Sequence, residues 1–143
     1  MRTKQGFSLV LALVLSLGVA QAKDLSRSDV PAAVLKAFEA QYPGVVVEKY
    51  DFDDDDNVFE IDAEKGSLEI EAKYKKDGTL VEFKEDVRAQ DIPASVLNQV
   101  KEQYPKAEIL GANRLFKNGK HFWDVGVKDG RKHRNILMTA PWE

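Results

Sequence analysis

A 15-residue stretch that occurs twice constrains this 143-residue chain more than any other feature. Residues 29–43 read DVPAAVLKAFEAQYP and residues 91–105 read DIPASVLNQVKEQYP, which gives 8 identical positions of 15 at an offset of 62 residues without a gap. Each copy has the punctuation of a helix: an aspartate that can cap free N–H groups, a proline suited to the first turn, and a second proline that ends it. The chain is therefore predicted to contain two copies of one structural unit.

Each predicted helix has one apolar face to bury, because hydrophobic residues recur at helical spacing. They are Val30, Val34, Leu35 and Phe38 in the first copy and Ile92, Val96, Leu97 and Val100 in the second. Tyr42 and Tyr104 extend these two stripes, and each tyrosine is expected to close the seam between its helix and a sheet.

After each helix the hydrophobic period changes from 3.6 to 2, which is typical of half-buried strands. The predicted strands are 45–50, 58–63, 68–74 and 79–85 in the first unit and 108–116, 121–128 and 132–139 in the second. Short turns join them, including Lys117-Asn-Gly-Lys120 and Asp129-Gly130, and a fourth strand of the second unit is missing or reduced to the tail 140–143. The fold class is α+β: two helix-plus-antiparallel-meander repeats, with the helices packed on one face of a largely antiparallel sheet.

The other face of the first sheet is predicted to be open and charged, because acidic residues alternate with the apolar ones. Its acids are Glu60, Asp62, Glu69, Glu71 and Glu82, with Lys73 and Lys84 among them. A solvated face and a protein-binding face explain this pattern equally well. Trp123 is in phase with Val125 and Val127 and is expected in the core, whereas Trp142, in the proline-containing tail, is the better candidate for a partner contact.

The N-terminus has the three parts of a secretory signal peptide: a positive start, an apolar run, and a small-residue end at Ala20-Gln21-Ala22. The apolar run, residues 7–19, is shorter than the roughly 18 residues that a membrane span needs. We therefore expect cleavage after Ala22, a periplasmic or secreted protein, and no stable membrane anchor afterwards. The predicted divisions are a signal peptide at 1–22, a first repeat at 23–87 and a second at 88–143.

Composition excludes several classes of function. The chain has no cysteine, so disulfides and thiolate metal sites are excluded, and its formal net charge of −3 does not suit a nucleic-acid partner. The charge is uneven, because residues 48–91 contain 16 acidic and 7 basic side chains while residues 92–143 contain 5 and 9.

The run from Asp51 to Asn57 is the most acidic segment, and its oxygens could hold Ca²⁺. It does not match an EF-hand loop, because the sixth position lacks the required glycine whether the loop starts at Asp51 or Asp53. A solvated hairpin loop is the favoured interpretation. Weak Ca²⁺ binding through Asp53, Asp55 and Asn57 stays open as the alternative.

No pattern of catalytic residues is apparent, and neither an enzymatic activity nor a cofactor is predicted. The two histidines, His121 and His133, fall on neighbouring predicted strands without a visible third metal ligand.

The helix ending in Gln-Tyr-Pro, followed by strands reading Val58-Phe-Glu-Ile-Asp62 and Asp77-Gly-Thr-Leu-Val-Glu-Phe83, resembles the PepSY-like, β-lactamase-inhibitor-like family of exported bacterial proteins. The resemblance covers both copies and implies a helix-on-sheet repeat, export, and an interaction or inhibitory role without catalytic residues. The hypothesis is an exported, non-catalytic protein that binds another exported protein through the open charged face. The alternative is a periplasmic cation or small-ligand binding protein that uses the acidic loop.

Overall fold

The computed structural model of the protein describes residues 23–139. In this part of the chain, two helices lie on one face of a single eight-stranded sheet. The helices are α1 (Ala32–Gln41) and α2 (Ala94–Gln103), and the strands are β1 (Lys23–Leu25), β2 (Val46–Asp53), β3 (Val58–Lys65), β4 (Leu68–Tyr74), β5 (Leu80–Val87), β6 (Glu108–Lys117), β7 (Lys120–Asp129) and β8 (Lys132–Met138). The predicted α+β class, with both helices on one side of an antiparallel sheet, is confirmed.

The repeat seen in the sequence recurs in the backbone at the same offset of 62 residues. Both helices follow a single 3₁₀ turn and a proline, Pro31 or Pro93, with φ near −55° and −58°. Both end on a tyrosine whose N–H donates to the carbonyl four residues earlier at 2.8 Å. Even an irregularity is shared, since β2 has a bulge between Val47 and Lys49, and β6 has one between Ile109 and Gly111.

The expected aspartate caps are wrong in detail. Neither helix has a side-chain cap, and Asp29 instead closes the preceding 3₁₀ turn, where its Oδ2 accepts the Ser26 N–H at 3.0 Å. Asp91 accepts a 2.6 Å hydrogen bond from Arg88 Nε. Each aspartate lies two residues before its proline, so its carboxylate reaches back to the turn rather than forward to the first helical N–H groups.

The sheet follows chain order from β1 to β8, and every neighbouring pair is antiparallel. Strands β2, β3 and β4 correspond to β6, β7 and β8, and β5 pairs with β6 to join the two units into one sheet. The predicted boundary between residues 87 and 88 lies at the end of β5. The division into two repeats at this point stays a prediction, because one sheet continues through both units. Strand β1 was not predicted, and it pairs with β2 at the edge.

Two separate clusters of buried residues form beneath the helices. The first contains Phe38, Ile61 and Tyr74, and the second contains Val100 and Trp123, which confirms the core position expected for the tryptophan. Tyr42 and Tyr104 are partly buried and pack against the first and second cluster respectively, as predicted for the two seams.

The hairpins that sequence reasoning identified are present where they were expected. Asn118 and Gly119 have φ of +53° and +71° in the two-residue link between β6 and β7, a left-handed pair that Asn-Gly favours. The signal-peptide prediction for residues 1–22 and the tail with Trp142 lie outside the described residues. No helix between residues 23 and 139 is long and apolar enough to cross a membrane.

Candidate functional site

Strand pairing places the five predicted acidic residues on the sheet face opposite the helices. Asp62 of β3 lies opposite Glu71 of β4, and Glu60 lies opposite Lys73, which in turn lies opposite Glu82 of β5. We call this surface, Glu60, Asp62, Glu69, Glu71 and Glu82 with Lys73 and Lys84, the acidic face. Glu69 and Lys84 are exposed, while the other members are half-buried by their neighbours in the sheet.

Lysines balance only part of the acidic face. Lys73 Nζ lies 3.2 Å from Glu60 Oε2 and 3.6 Å from Glu71 Oε1, and Lys117 Nζ lies 3.1 Å from Glu82 Oε2. No cation from residues 23–139 lies within 4.0 Å of the carboxylates of Asp62 or Glu69. Asp62 and Glu69 are therefore the carboxylates of the acidic face that have no ion pair within the described residues.

Asp62 shows the electrostatic consequence. Burial, together with the negative charges of Glu60, Glu71 and Asp51, raises the pKa of its carboxyl to about 6, and Lys49 has a weaker opposing effect. Any group that brings positive charge near this carboxyl, whether a partner's side chain or an ion, would stabilise its ionised form.

A second cluster adjoins the acidic face at its β2 edge. Asp51 lies between Asp24 of β1 and Glu60 of β3, and it is 4% exposed. Lys49 Nζ contacts Asp51 Oδ2 at 2.6 Å and Asp24 Oδ1 at 3.2 Å. Asp51, Glu60 and Asp62 each bring one carboxylate oxygen into a group whose atoms all lie within 4.8 Å of one another, and we call these three residues the carboxylate triad.

The acidic loop itself is arranged differently from the carboxylate triad. Asp53 Oδ1 accepts the N–H groups of Asp55 and Asp56 at 3.0 and 3.2 Å, a local turn bond that the sequence type favours. Asp55 and Asn57 are exposed. Within residues 23–139, the carboxylates and histidines that converge as a group of three do not include Asp53 or Asp55, so cation binding by this loop stays a prediction.

The same face of the second repeat has a different character. The positions equivalent to Asp51, Glu60 and Asp62 are occupied by Asn113, Phe122 and Asp124, and Leu137 beside Asp124 is 57% exposed. The open face thus changes from acidic in the first repeat to a mixture of basic, polar and apolar residues in the second, along one continuous sheet.

The helix-covered side carries a cleft of about 960 Å³ between the two units. Tyr42, Phe83 and Trp123 supply its apolar wall, and Arg114 forms an ion pair with Glu85 there. Burial and the neighbouring Glu85 raise the pKa of the Tyr42 hydroxyl, which indicates that this tyrosine stays neutral in the cleft.

The two histidines do not form a pair. His121 lies opposite Phe116 and contacts its ring at a tilt of 45° on the helix side, with centroids 4.9 Å apart, whereas His133 lies opposite Lys128 on the open face. A shared metal ion would need both on one face.

Sequence reasoning placed Asp51 in the acidic loop rather than beside Glu60, and it missed Lys49 and Asp24 as members of the site. The signal was present in the hairpin: once β2 is extended to Asp53, the loop 54–57 closes on Val58 and places Asp51 directly opposite Glu60. The contribution of Asp24 could not be found this way, because it depends on the pairing of β1.

Comparisons with known proteins place these features in a family context. The family model described as "Putative beta-lactamase-inhibitor-like, PepSY-like" matches residues 19–82 and 67–130, two overlapping windows that together span most of the chain. No curated protein matches the sequence significantly.

Three similar solved structures come from species of Bacteroides. A BLIP-like protein from Bacteroides fragilis has a TM-score of 0.60 at 16% identity over 76% of this chain and 79% of that one. A DUF2874 family protein from Bacteroides ovatus has 0.58 at 16% over 76% and 79%, and a protein described as one of the "putative periplasmic proteins" of Bacteroides eggerthii has 0.55 at 15% over 77% and 81%. Identities this low show a shared fold and nothing further.

Proposed function

This chain belongs to the PepSY-like, β-lactamase-inhibitor-like family, and we propose from this premise that it is an exported, non-catalytic protein that binds a basic surface of another exported protein through its acidic face. The observation that carries the proposal is the pair of carboxylates, Asp62 and Glu69, that no lysine or arginine of residues 23–139 neutralises within 4.0 Å. They lie on a rigid sheet whose opposite side is covered by helices.

The form of the surface supports a protein partner over a small ligand. Seven charged side chains are spread over three neighbouring strands, and backbone pairing fixes their spacing. A preformed array of this kind loses little conformational entropy on binding, and its charge accelerates encounter with an oppositely charged partner. The exposed Leu137, farther along the same open face, would add apolar contact area.

Family membership supports an exported location and a role in recognition. A structural neighbour described as periplasmic and another described as BLIP-like are consistent with it, although each description concerns that protein alone. The predicted cleavage after Ala22 and a contact by Trp142 belong to the same proposal.

The test is capture of basic proteins from the exported fraction, with the purified protein immobilised and a chelator present to remove divalent cations. The variant Glu60→Gln/Glu69→Gln/Glu71→Gln removes three charges from the acidic face, and we expect it to lose capture. Its free energy of unfolding should stay within about 1 kcal/mol of the parent, because these carboxylates remain partly solvated and because losing their contacts with Lys73 is offset by less repulsion toward Asp62.

A matched control is Asp54→Asn/Asp55→Asn/Asp56→Asn, which we call the loop variant and which removes the same charge from the exposed hairpin tip. It should retain capture. Capture by the parent should weaken as the salt concentration rises past about 0.1 M, because exposed charges more than about 10 Å apart are then largely screened from one another. Equal capture by the parent and by Glu60→Gln/Glu69→Gln/Glu71→Gln, or loss in the loop variant alone, would refute the acidic face as the binding surface.

A further inference from the structure

We infer that the carboxylate triad, Asp51, Glu60 and Asp62, is a binding site for a divalent cation of the Ca²⁺ type. The inference goes beyond the proposed function, because it requires no partner protein, and it concerns paired residues of β2 and β3, of which only Asp51 belongs to the acidic run 51–57.

The spacing of the oxygens fits one ion. Their atoms all lie within 4.8 Å of one another. Ca²⁺ binds oxygens at 2.3–2.6 Å, so two oxygens on one ion lie at most about 5 Å apart. Three carboxylates from neighbouring strands can therefore share an ion with water completing its coordination.

A second observation is independent of the clustering. Asp51 is 4% exposed, and its Oδ1 atom is buried without a hydrogen-bond donor among residues 23–139. Lys49 Nζ contacts the other oxygen, Oδ2, at 2.6 Å, so Oδ1 is the oxygen that lacks a partner. A buried carboxylate oxygen without a partner is costly, and a bound cation would supply the missing interaction.

The local charge is also out of balance. The carboxylates of Asp24 and Glu71 flank the triad, while Lys49 and Lys73 provide the cations in contact with this group. Five carboxylates against two ammonium groups leave a net charge of about −3 when all are ionised.

The ligand set selects among ions. All three ligands are hard oxygens, which favour Ca²⁺, Mg²⁺ and Mn²⁺ over softer metals. Strand pairing fixes these carboxylates without regard to octahedral geometry, and Ca²⁺ tolerates irregular geometry whereas Mg²⁺ demands a near-ideal octahedron. We therefore expect Ca²⁺ to bind more tightly than Mg²⁺.

The second repeat provides an internal control. Asn113 occupies the position of Asp51 and also has a buried Oδ1 without a donor in the described part of the chain. Phe122, however, replaces Glu60, so only Asp124 keeps a carboxylate at the three equivalent positions. One fold thus presents the cluster once with three carboxylates and once with one.

The experiment titrates the purified, metal-free protein with CaCl₂ and then with MgCl₂, using calorimetry and amide NMR spectra. We expect saturable binding of one Ca²⁺ with an affinity typical of extracellular modules, a dissociation constant of roughly 10⁻⁴–10⁻³ M, and at least about tenfold weaker binding of Mg²⁺. The amide signals of Asp51, Glu60 and Asp62 should shift first. Those of Asn113, Phe122 and Asp124 should stay in place.

Variants sharpen the assignment. Glu60→Gln/Asp62→Asn should raise the dissociation constant for Ca²⁺ at least about tenfold, because two of the three charged ligands are lost. The loop variant, which removes three charges nearby, should bind Ca²⁺ within about twofold of the parent.

Three results would overturn the inference. The first is no saturable Ca²⁺ binding by the parent up to about 10 mM, which is about ten times the largest dissociation constant expected. The others are equal affinities for Ca²⁺ and Mg²⁺, and a loss of Ca²⁺ affinity in the loop variant as large as that in Glu60→Gln/Asp62→Asn. The NMR titration of the parent decides the matter even where a variant fails to fold. None of these results bears on partner capture, which is measured with chelator present.

Discussion

The two repeats have nearly the same backbone but different surfaces. Helix starts, tyrosine ends and β-bulges coincide at an offset of 62 residues, yet the triad Asp51, Glu60 and Asp62 becomes Asn113, Phe122 and Asp124. The conserved features are those that the helix-on-sheet packing requires. The charged residues that differ lie on the face that packing leaves free, so the carboxylate triad is confined to the first repeat.

The two cores place large and small residues at exchanged positions. The first uses a large residue on the helix, Phe38, and a smaller one on the strand, Ile61. The second reverses this choice at the equivalent positions, with Val100 on the helix and Trp123 on the strand. Exchanging large and small residues between facing elements preserves the packed volume, and this explains how one backbone accommodates two sequences.

The largest expected loss of stability comes from truncating the large helix residue of the first core. Phe38→Ala should cost about 3–5 kcal/mol, because it removes a buried aromatic ring and leaves a cavity. Val100→Ala, at the equivalent position, should cost less, about 2 kcal/mol, because only two methyl-sized groups are lost. Chemical denaturation of both variants measures the difference. An equal or larger cost for Val100→Ala would contradict the reversed packing.

The two seam tyrosines should differ as well. Tyr42 packs against the rings of Phe38 and Phe83, with centroids 5.3 and 6.4 Å apart, whereas Tyr104 has the Arg134 guanidinium 5.8 Å from its ring centroid. Tyr42→Ala should cost about 3 kcal/mol and Tyr104→Ala about 2 kcal/mol, since the first loses aromatic contacts in addition to buried area. If either variant keeps the parent's denaturation midpoint, that tyrosine does not close its seam.

Much of the fold could be predicted, because the repeat fixes the helix ends and the alternation fixes the strand faces. The position of Trp123 followed from its phase with Val125 and Val127. Strand β1 could not be predicted, since three residues carry no recognisable period and the pairing with β2 is what orders them. The bulge after Val47 has a trace in the sequence, because Glu48 and Lys49 in succession interrupt the alternation between Val47 and Tyr50, but this break alone does not distinguish a bulge from a strand end.

The candidate site was predictable only in part for the same reason. The acids of β3, β4 and β5 follow the alternation, so their shared face could be read from the sequence. Asp51 lies one residue past the predicted end of its strand at Tyr50 and was assigned to a loop. Its burial between β1 and β3 depends on neighbours that are distant in the sequence, and local patterns do not reveal such neighbours.

A smaller effect concerns the pH dependence of stability in the acidic half. The pKa of Asp62 is about 6 in the folded protein, above the value of about 3.9 for an unfolded chain. Protonation of Asp62 therefore favours folding: its contribution is fully present below about pH 4 and is lost as the pH rises through about 6.

The variant Asp62→Asn isolates this contribution from the other titrating groups. The free energy of unfolding of the parent, measured by denaturation relative to Asp62→Asn, should fall between pH 4 and pH 7. A difference that stays constant or rises over this range would show that burial and the neighbouring carboxylates do not raise the pKa of Asp62.

The central claim is that the acidic face, and not the helix-covered side, contacts a partner. The most direct measurement places the photo-crosslinking amino acid p-benzoylphenylalanine at Glu69 or at Lys36, both exposed but on opposite sides of the molecule, and irradiates cells that export the protein. We predict a discrete, light-dependent adduct with another protein from position 69 and none from position 36, and the Glu69 adduct should disappear when Glu60 and Glu71 are replaced by Gln. Adducts from position 36 alone, or equal adducts from both positions, would contradict the assignment of the acidic face as the binding surface.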